Sequence, residues 1–247
     1  MTSIDLNADL GEGLPNDAAL LEIVSSASIA CGGHAGTEAT MRAALQGARA
    51  HGVIAGAHPG FADPENFGRR RLELTADELT RQMREQLGTL AALAREEGVE
   101  LRYVKLHGAL ANMAAEDEHI ASIAFAAVRN HDSHLAILAI DNSAQVAAAE
   151  ALGLTVIHEA YADRAYQPNG LLVPRSEPDA VLHNAELVVQ RALRLATRGE
   201  LVAADGSAIP SVARSLCIHG DNAEAVTIVR ALRDALTEAG IGIAAAV

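Results

Sequence analysis

Histidines and carboxylates gather where the chain's short apolar runs end. The first run carries Asp5, Asn7 and Asp9 and leads into Gly11-Glu12-Gly13; the second gives Cys31-Gly32-Gly33-His34, and the third His58-Pro59-Gly60. Further on come Lys105-Leu106-His107-Gly108, Asp141-Asn142, His158-Glu159 with Asp163-Arg164, and His219-Gly220-Asp221-Asn222. Imidazoles and carboxylates move protons near neutral pH once their neighbours tune them. Five of the ten histidines (His34, His58, His107, His158, His219) directly follow such runs. The other five fall on predicted helices or loops and are expected at the surface.

Lys105 is the sole lysine beside eighteen arginines. A compact ammonium is wanted where a planar guanidinium would not fit or could not exchange a proton. The plainer reading is a core-edge lysine in a salt bridge. Asp5, Asn7 and Asp9 are period-two neighbours, so all three point to one side of a strand; taken singly, Asp5 or Asp9 would serve as a cap or a buried pair. Gly32, Gly33 and Gly108 suit tight turns and also let a ligand approach the backbone. Arg69-Arg70-Arg71 read either as a solvated run or as part of a glycine-rich loop over 59–72, long enough to act as a lid.

These residues need a scaffold that brings separate run ends together. The runs 3–8, 27–30, 53–57, 101–106, 135–140, 155–157 and 215–218 read as strands, with a further strand over 241–247. Helical periodicity marks 37–51, 75–98, 116–129, 143–152, 178–198 and 223–239. Thr75-Ala76-Asp77-Glu78 has capping-box spacing, and Gly52, Gly98, Gly153, Gly199 and Gly240 stand where helices should stop. Strand–helix alternation predicts a parallel sheet. Seven strands in 247 residues favour one domain, a distorted α/β (β/α) barrel of the TIM-like kind, over an open sheet. No GxGxxG follows the first strand, which weakens the dinucleotide-binding alternative. Asp205-Gly206 between Leu201 and Ile209 predicts an inserted β-hairpin. In a parallel barrel all the strand-end clusters share the C-terminal face, where barrel enzymes place their sites.

Composition narrows the partners. A formal charge of -13 repels polyanions, and the one basic run lacks interleaved aromatics, so no nucleic-acid partner is expected. The chain is 50% hydrophobic but only 2% aromatic, so its core must be built from Ala, Leu, Val and Ile. No apolar stretch approaches the ~20 residues that span a bilayer. Cys31 and Cys217 give no disulfide framework, and the N-terminus lacks a signal peptide's basic and apolar segments, so the cytoplasm is the expected location. His, Asp and Glu suit zinc or a similar divalent metal. No HxxxH or HxH occurs, however, so ligands would come from separate strands, and the sequence leaves a metal undecided. It also leaves self-association into a homo-oligomer open.

Six blocks, in order from Asp5 to Asn222, resemble the LamB/YcsF family. They are 5–13; Ile29-Ala30-Cys31-Gly32-Gly33-His34-Ala35-Gly36; Gly56-Ala57-His58-Pro59-Gly60-Phe61 with Phe67-Gly68-Arg69-Arg70; Val104-Lys105 with His107-Gly108-Ala109-Leu110; Glu159 with 162–166; and 217–222. The resemblance implies a distorted barrel similar to that of polysaccharide deacetylases. It also implies the A component of a three-part 5-oxoprolinase, a hydrolase of cyclic amides that consumes ATP and works with subunits B and C. The chain departs from the family pattern at Leu106 and Ala223, where proline is usual, and at Ala111, where tyrosine is usual. The missing tyrosine removes an aromatic wall or hydroxyl near the fourth strand end.

In that scheme Asp9 or His58 is the general base, and Lys105 and His107 stabilise the developing anion. An arginine (Arg69, Arg70, Arg71 or Arg164) holds the substrate's carboxylate or phosphate. Asn7, Gly32, Gly33, His34, Glu159, His219 and Asp221 complete the substrate pocket. No GxxxxGK[ST] occurs, so ATP is assigned largely to the partners. Two alternatives stand beside this scheme: a stand-alone metal-dependent deacetylase or amidohydrolase, and a non-catalytic scaffold.

Overall fold

The computed structural model describes residues 2–218 and 225–247. In chain order the strands are β1 (Ser3–Leu10), β2 (Ser26–Ala30), β3 (Ile54–His58), β4 (Leu101–Val104), β5 (Ala136–Ile140), β6 (Val156–Tyr161), β7 (Glu200–Val202), β8 (Ala208–Pro210), β9 (Ser215–Cys217) and β10 (Gly242–Ile243). The helices are α1 (Asp17–Leu21), α2 (Glu38–His51), α3 (Ala76–Glu96), α4 (Gly108–Glu116), α5 (Glu118–His131), α6 (Ala144–Ala151), α7 (Ala185–Arg198) and α8 (Ala225–Glu238).

Strands β1 to β6 pair in sequence, all parallel, and β9 joins β6 back to β1. The result is a closed seven-stranded α/β barrel wrapped by helices. The short β10 pairs with Ser3 and Ile4 on the edge of β1 that β2 takes up further along, since Ile4 O accepts from Ala244 N–H and Leu6 O from Ser25 N–H, so it fills the foot of that seam. As expected, β7 and β8 form an antiparallel hairpin around Asp205, whose carboxylate accepts from the Ser207 N–H.

Period-two alternation divides every strand between two environments. On β1, Ile4, Leu6, Ala8 and Leu10 face the helices and join the main apolar core. Asp5, Asn7 and Asp9 are buried and face the barrel interior. The Asp5 carboxylate takes hydrogen bonds from Ser25, Ser26 and Ser215, and burial raises its pKa against those hydroxyls. Asp5 therefore belongs to the scaffold at the barrel's foot. Beside it Tyr103, Ala136, Leu138 and Ile157 form a small apolar plug. Gly56 is required there, because a Cβ would stand 2.3 Å from the Tyr103 ring.

The helices start and stop largely where the sequence indicates. Thr37 and Thr75 cap α2 and α3 with reciprocal capping boxes. Three differences stand out. The predicted helix over 178–198 begins only at Ala185, capped by the Asn184 side chain; the preceding residues instead run antiparallel to Arg164, through an Arg164–Val181 bridge. Helix α4 has no counterpart among the predicted helices: it is buried along Ala109, Leu110, Ala111, Met113, Ala114 and Ala115, so it shows no polar stripe to betray its period. Helix α1 is only five residues long, too short for a periodic signal. Among the described residues, no helix is long and apolar enough to cross a membrane.

Candidate functional site

The site lies at the C-terminal mouth of the barrel and is built on Asp9, His58, Lys105 and His107. β1 delivers Asp9, β3 ends on His58, and Lys105 and His107 follow β4. Their backbone is tied to the third strand's end, with Lys105 N–H donating to Ala57 O and His107 N–H to Pro59 O.

Lys105 is fully buried and sits beneath the mouth. Its ammonium reaches Asp9 Oδ1 at 2.9 Å, Glu159 Oε1 at 2.9 Å, Asn7 Oδ1 at 3.2 Å and Cys217 Sγ at 3.0 Å, and lies 5.0 Å from the Tyr161 ring centre. Burial opposes this charge, but Asp9, Cys217 and Glu159 together outweigh it and hold the lysine well above its ordinary pKa. Burial pushes Glu159 up despite Lys105 and pushes the Cys217 thiol well up. Asn7 links the layers, donating to Glu159 at 2.9 Å and to Ser215 at 2.8 Å. Lys105 thus does not line the open cavity; it holds Asp9, which does.

Above Asp9 stand three imidazoles. His34 and His107 stack with centroids 3.5 Å apart and planes within 4°, and His58 meets both edge-on. His58 Nδ1 lies 2.9 Å from Lys105 O, and His107 Nε2 lies 2.9 Å from Phe67 O. Carbonyls only accept, so each ring carries a proton at that nitrogen. The remaining nitrogens, His58 Nε2 and His107 Nδ1, face each other at 2.9 Å, with Asp9 Oδ2 3.2 Å from the former. Glu12 Oε1 closes the group, 3.0 Å from His34 Nε2 and 3.5 Å from His107 Nδ1. Burial, reinforced by the neighbouring rings, lowers His107 well below the usual imidazole range. It lowers His34 too, against Glu12.

Loops position these groups tightly. Glu12 follows Gly11, whose N–H donates to Asp17 Oδ2 and whose carbonyl accepts from Thr40 Oγ1. The 59–72 loop lies down on the imidazoles. Gly68 packs so closely that a Cβ would stand 2.6 Å from His34 Cβ, and its carbonyl accepts from Ala109 N–H. Gln86, inside α3, pairs with both backbone groups of Gly60, accepting from N–H at 3.1 Å and donating to C=O at 2.7 Å. Gln86→Leu leaves two buried backbone groups unpaired and is expected to cost about 2–3 kcal/mol. Denaturant unfolding would check this; an unchanged midpoint would mean the contact contributes nothing.

A cavity of about 290 Å³ opens over Asp9, His58 and His107. Arg69, Arg71, Tyr161, Arg164 and Arg175 line it, together with Leu106 and Ala111. Arg164 is held by donating to Ala180 O and Val173 O. Burial, then the nearby Arg175 charge, lowers its pKa. Arg69 stacks over Phe67, 4.9 Å from the ring centre, and Arg71 pairs with Glu116.

The structure separates the sequence candidates. Asp9, His58, His107, Arg69 and Arg164 come together around the cavity, with His34, Asn7, Lys105 and Glu159 packed behind its floor. Arg70 instead turns outward to Asp63 and is largely exposed. Gly32 and Gly33 do not line the cavity: they shape the turn before His34, and Gly33 lets Gln86 approach, since a Cβ would stand 2.2 Å from Gln86 Oε1. His158 pairs with Asp141 at 2.8 Å, and Asp141 in turn holds Ser211 and Val212, so this pair fastens a loop. His219 and Asp221 lie outside the described residues. Among the described residues, the exposed histidines are His51, His119, His131, His134 and His183, as expected. Sequence reasoning passes over Glu12, Tyr161, Gln86 and Arg175 as site residues. Tyr161 is accessible to it, since it continues the inward set of Ile157 and Glu159 on β6.

Fold and site define a TIM-like barrel protein with a histidine- and carboxylate-rich centre at its C-terminal mouth. The chain belongs to the LamB/YcsF family, whose model matches residues 4–247. It is 44% identical to the A component of 5-oxoprolinase from Neisseria meningitidis, over 99% of this chain and all of that one. Its fold matches the crystal structure of the lactam utilization protein from Thermus thermophilus with a TM-score of 0.92 at 38% identity, covering 98% of this chain and 99% of that one. A polysaccharide deacetylase from Bacillus cereus shares the fold alone, with a TM-score of 0.52 at 17% identity, covering 98% of this chain and 91% of that one.

Proposed function

We propose that this chain is the A component of an ATP-dependent 5-oxoprolinase and carries the hydrolytic half-reaction that yields glutamate. The observation that carries the reading is a cavity whose floor offers Asp9, His58 and His107 while Arg164 and Arg175 stand on its wall. The names of the relatives support it. A lactam resists water because amide resonance weakens its carbonyl as an electrophile. Phosphorylation of the carbonyl oxygen removes that resonance, so water adds to the carbon, the ring C–N bond breaks with the nitrogen leaving as a protonated amine, and the acyl phosphate so formed loses phosphate to a second water. Subunits B and C, as partners, would perform that ATP-consuming step, since this chain carries no phosphate-binding loop motif. Two free buried cysteines agree with a reducing cytoplasm.

Within this chain, Asp9, which lines the cavity, takes the proton of the attacking water. Lys105 keeps Asp9 ionised from behind. The arginines receive the developing negative charge; His107 does not, because its one ring proton is committed to Phe67 O. Arg164 and Arg175 hold the substrate carboxylate or phosphate as charge-assisted hydrogen-bond donors. Arg175→Ala is expected to raise KM for 5-oxoproline by about 10-fold or more with kcat little changed, the worth of one such contact; steady-state kinetics on the assembled enzyme would test it, and an unchanged KM would remove Arg175 from the site.

The reading is tested by measuring glutamate from 5-oxoproline with and without subunits B and C and ATP. Glutamate that requires all of them supports it. Glutamate from this chain alone supports the second reading, a stand-alone amidohydrolase, which the Glu12–His34–His58–His107 grouping favours. None under any combination of folded subunits overturns both.

A further inference from the structure

We propose that Glu12, His34, His58 and His107 form a site for one divalent transition-metal ion such as zinc or cobalt. One ligand atom from each lies within 4.8 Å of all the others, and the three histidines and the Glu12 carboxylate are buried.

The hydrogen bonds point to a cation. With Lys105 O and Phe67 O accepting from the outer N–H of His58 and His107, neutral rings turn two lone pairs toward each other at 2.9 Å. Two lone pairs at that distance repel unless a positive centre lies between or beside them. A proton on one ring would relieve that single contact. It would not account for Glu12, which lies against His34 and His107 on the other side, or for His34 Nδ1, which is buried without a hydrogen-bond partner.

The donor set has the chemistry of a metal centre. Three imidazoles and one carboxylate suit zinc, cobalt and related ions. Ligating histidines commonly donate their other ring N–H to a backbone carbonyl, which orients the ring. His58 and His107 do so here. Asp9 adds a second carboxylate beside the group, its Oδ2 3.2 Å from His58 Nε2. The four ligands come from four separate strand ends, so no short spacing in the sequence announces them. A bound ion would supply Lewis acidity beside Asp9.

The test needs no substrate. The purified chain is stripped with a chelator and dialysed, then titrated with Co(II) while visible absorption is read and with Zn(II) in a calorimeter. Saturation near one equivalent, with cobalt d–d bands and a zinc-dependent rise in Tm, is expected. His58→Gln and His107→Gln should each weaken binding by more than about 100-fold, at or beyond the loss that follows removal of a supporting contact. His119→Gln, an exposed histidine, should match the parent. Circular dichroism would confirm folding of each variant. Absence of saturable binding by the folded parent overturns the proposal, as does equal binding by a folded His58→Gln/His107→Gln double variant; either result would leave a shared proton as the positive centre. These readouts stand apart from glutamate formation, so failure here and failure of the proposed reaction are distinguishable.

Discussion

Asp9→Asn will lower glutamate formation by the assembled enzyme by about 10²–10⁴-fold, the range supplied by a positioned proton acceptor. The amide keeps the shape of the carboxylate and retains an oxygen for the Lys105 ammonium, now at 2.9 Å from Asp9 Oδ1. The loss should therefore appear in kcat, with KM for 5-oxoproline changed little, since Arg164 and Arg175 are untouched. The amide nitrogen cannot take a proton from water, and it turns a donor toward an oxygen-and-nitrogen environment built for a carboxylate. Single-turnover measurements with subunits B and C and ATP present would separate this step from activation of the lactam. An Asp9→Asn enzyme that turned over at the parent rate would remove Asp9 as the base.

Lys105→Met will destabilise the fold by about 3–5 kcal/mol, because it strips the partner from buried charges rather than replacing the whole group. Methionine fills similar volume, so the cost lies mainly in Asp9 and Glu159, which face Lys105 at 2.9 Å each. The pH dependence has a definite sign. In the parent, the lysine's folded pKa is raised above its ordinary value. Its contribution is therefore complete below the unfolded pKa of about 10.4 and is lost only as pH rises through the folded one. Burial already raises Glu159, and Lys105 is the largest influence opposing that rise. Without the ammonium, Glu159 rises further above its unfolded value of about 4.3. A carboxyl of that kind favours the folded state most at pH below its unfolded value, and the benefit fades as pH rises toward the folded one. The deficit of Lys105→Met relative to the parent should thus be larger at pH 8 than at pH 5. Urea unfolding at both values would show it, and a deficit independent of pH would mean that Glu159 is not coupled to Lys105. Loss of activity in this variant would follow from Asp9 losing its support, since Lys105 itself sits below the cavity.

Much of the barrel was legible in the chain because its signals are local. Apolar runs bounded by glycine and polar residues mark strands whatever their neighbours, and Thr75 with Glu78 closes a capping box within four residues. The run ends share one face because parallel strands all point the same way, so His58 and His107 could be placed together from sequence. Helix α4 could not be read, because a helix buried on nearly every side has no polar stripe. The first turns of the predicted 178–198 helix also failed, because Arg164 and its neighbours recruit that backbone into bridges over sixteen or more residues of chain.

By itself, the sequence determined the parallel barrel, the inward set of Asp5, Asn7 and Asp9, and the concentration of imidazoles at the mouth. Period two assigns a side chain to one face of a strand and is fully contained in the order of residues. It says nothing of depth. Depth is decided by strand stagger, a property of the closed ring. The register places Asp5 and Glu159 both beside Ser215, and Asn7 and Tyr161 both beside Cys217. That stagger sinks Lys105 beneath Asp9, leaves Asp5 among serines, and raises Asp9 to the cavity. Only the tertiary structure brings Glu12 against His34 and His107, sends Arg70 to solvent and sets Arg175 on the cavity wall. These contacts join loops distant in sequence, and their geometry exists only once the ring has closed.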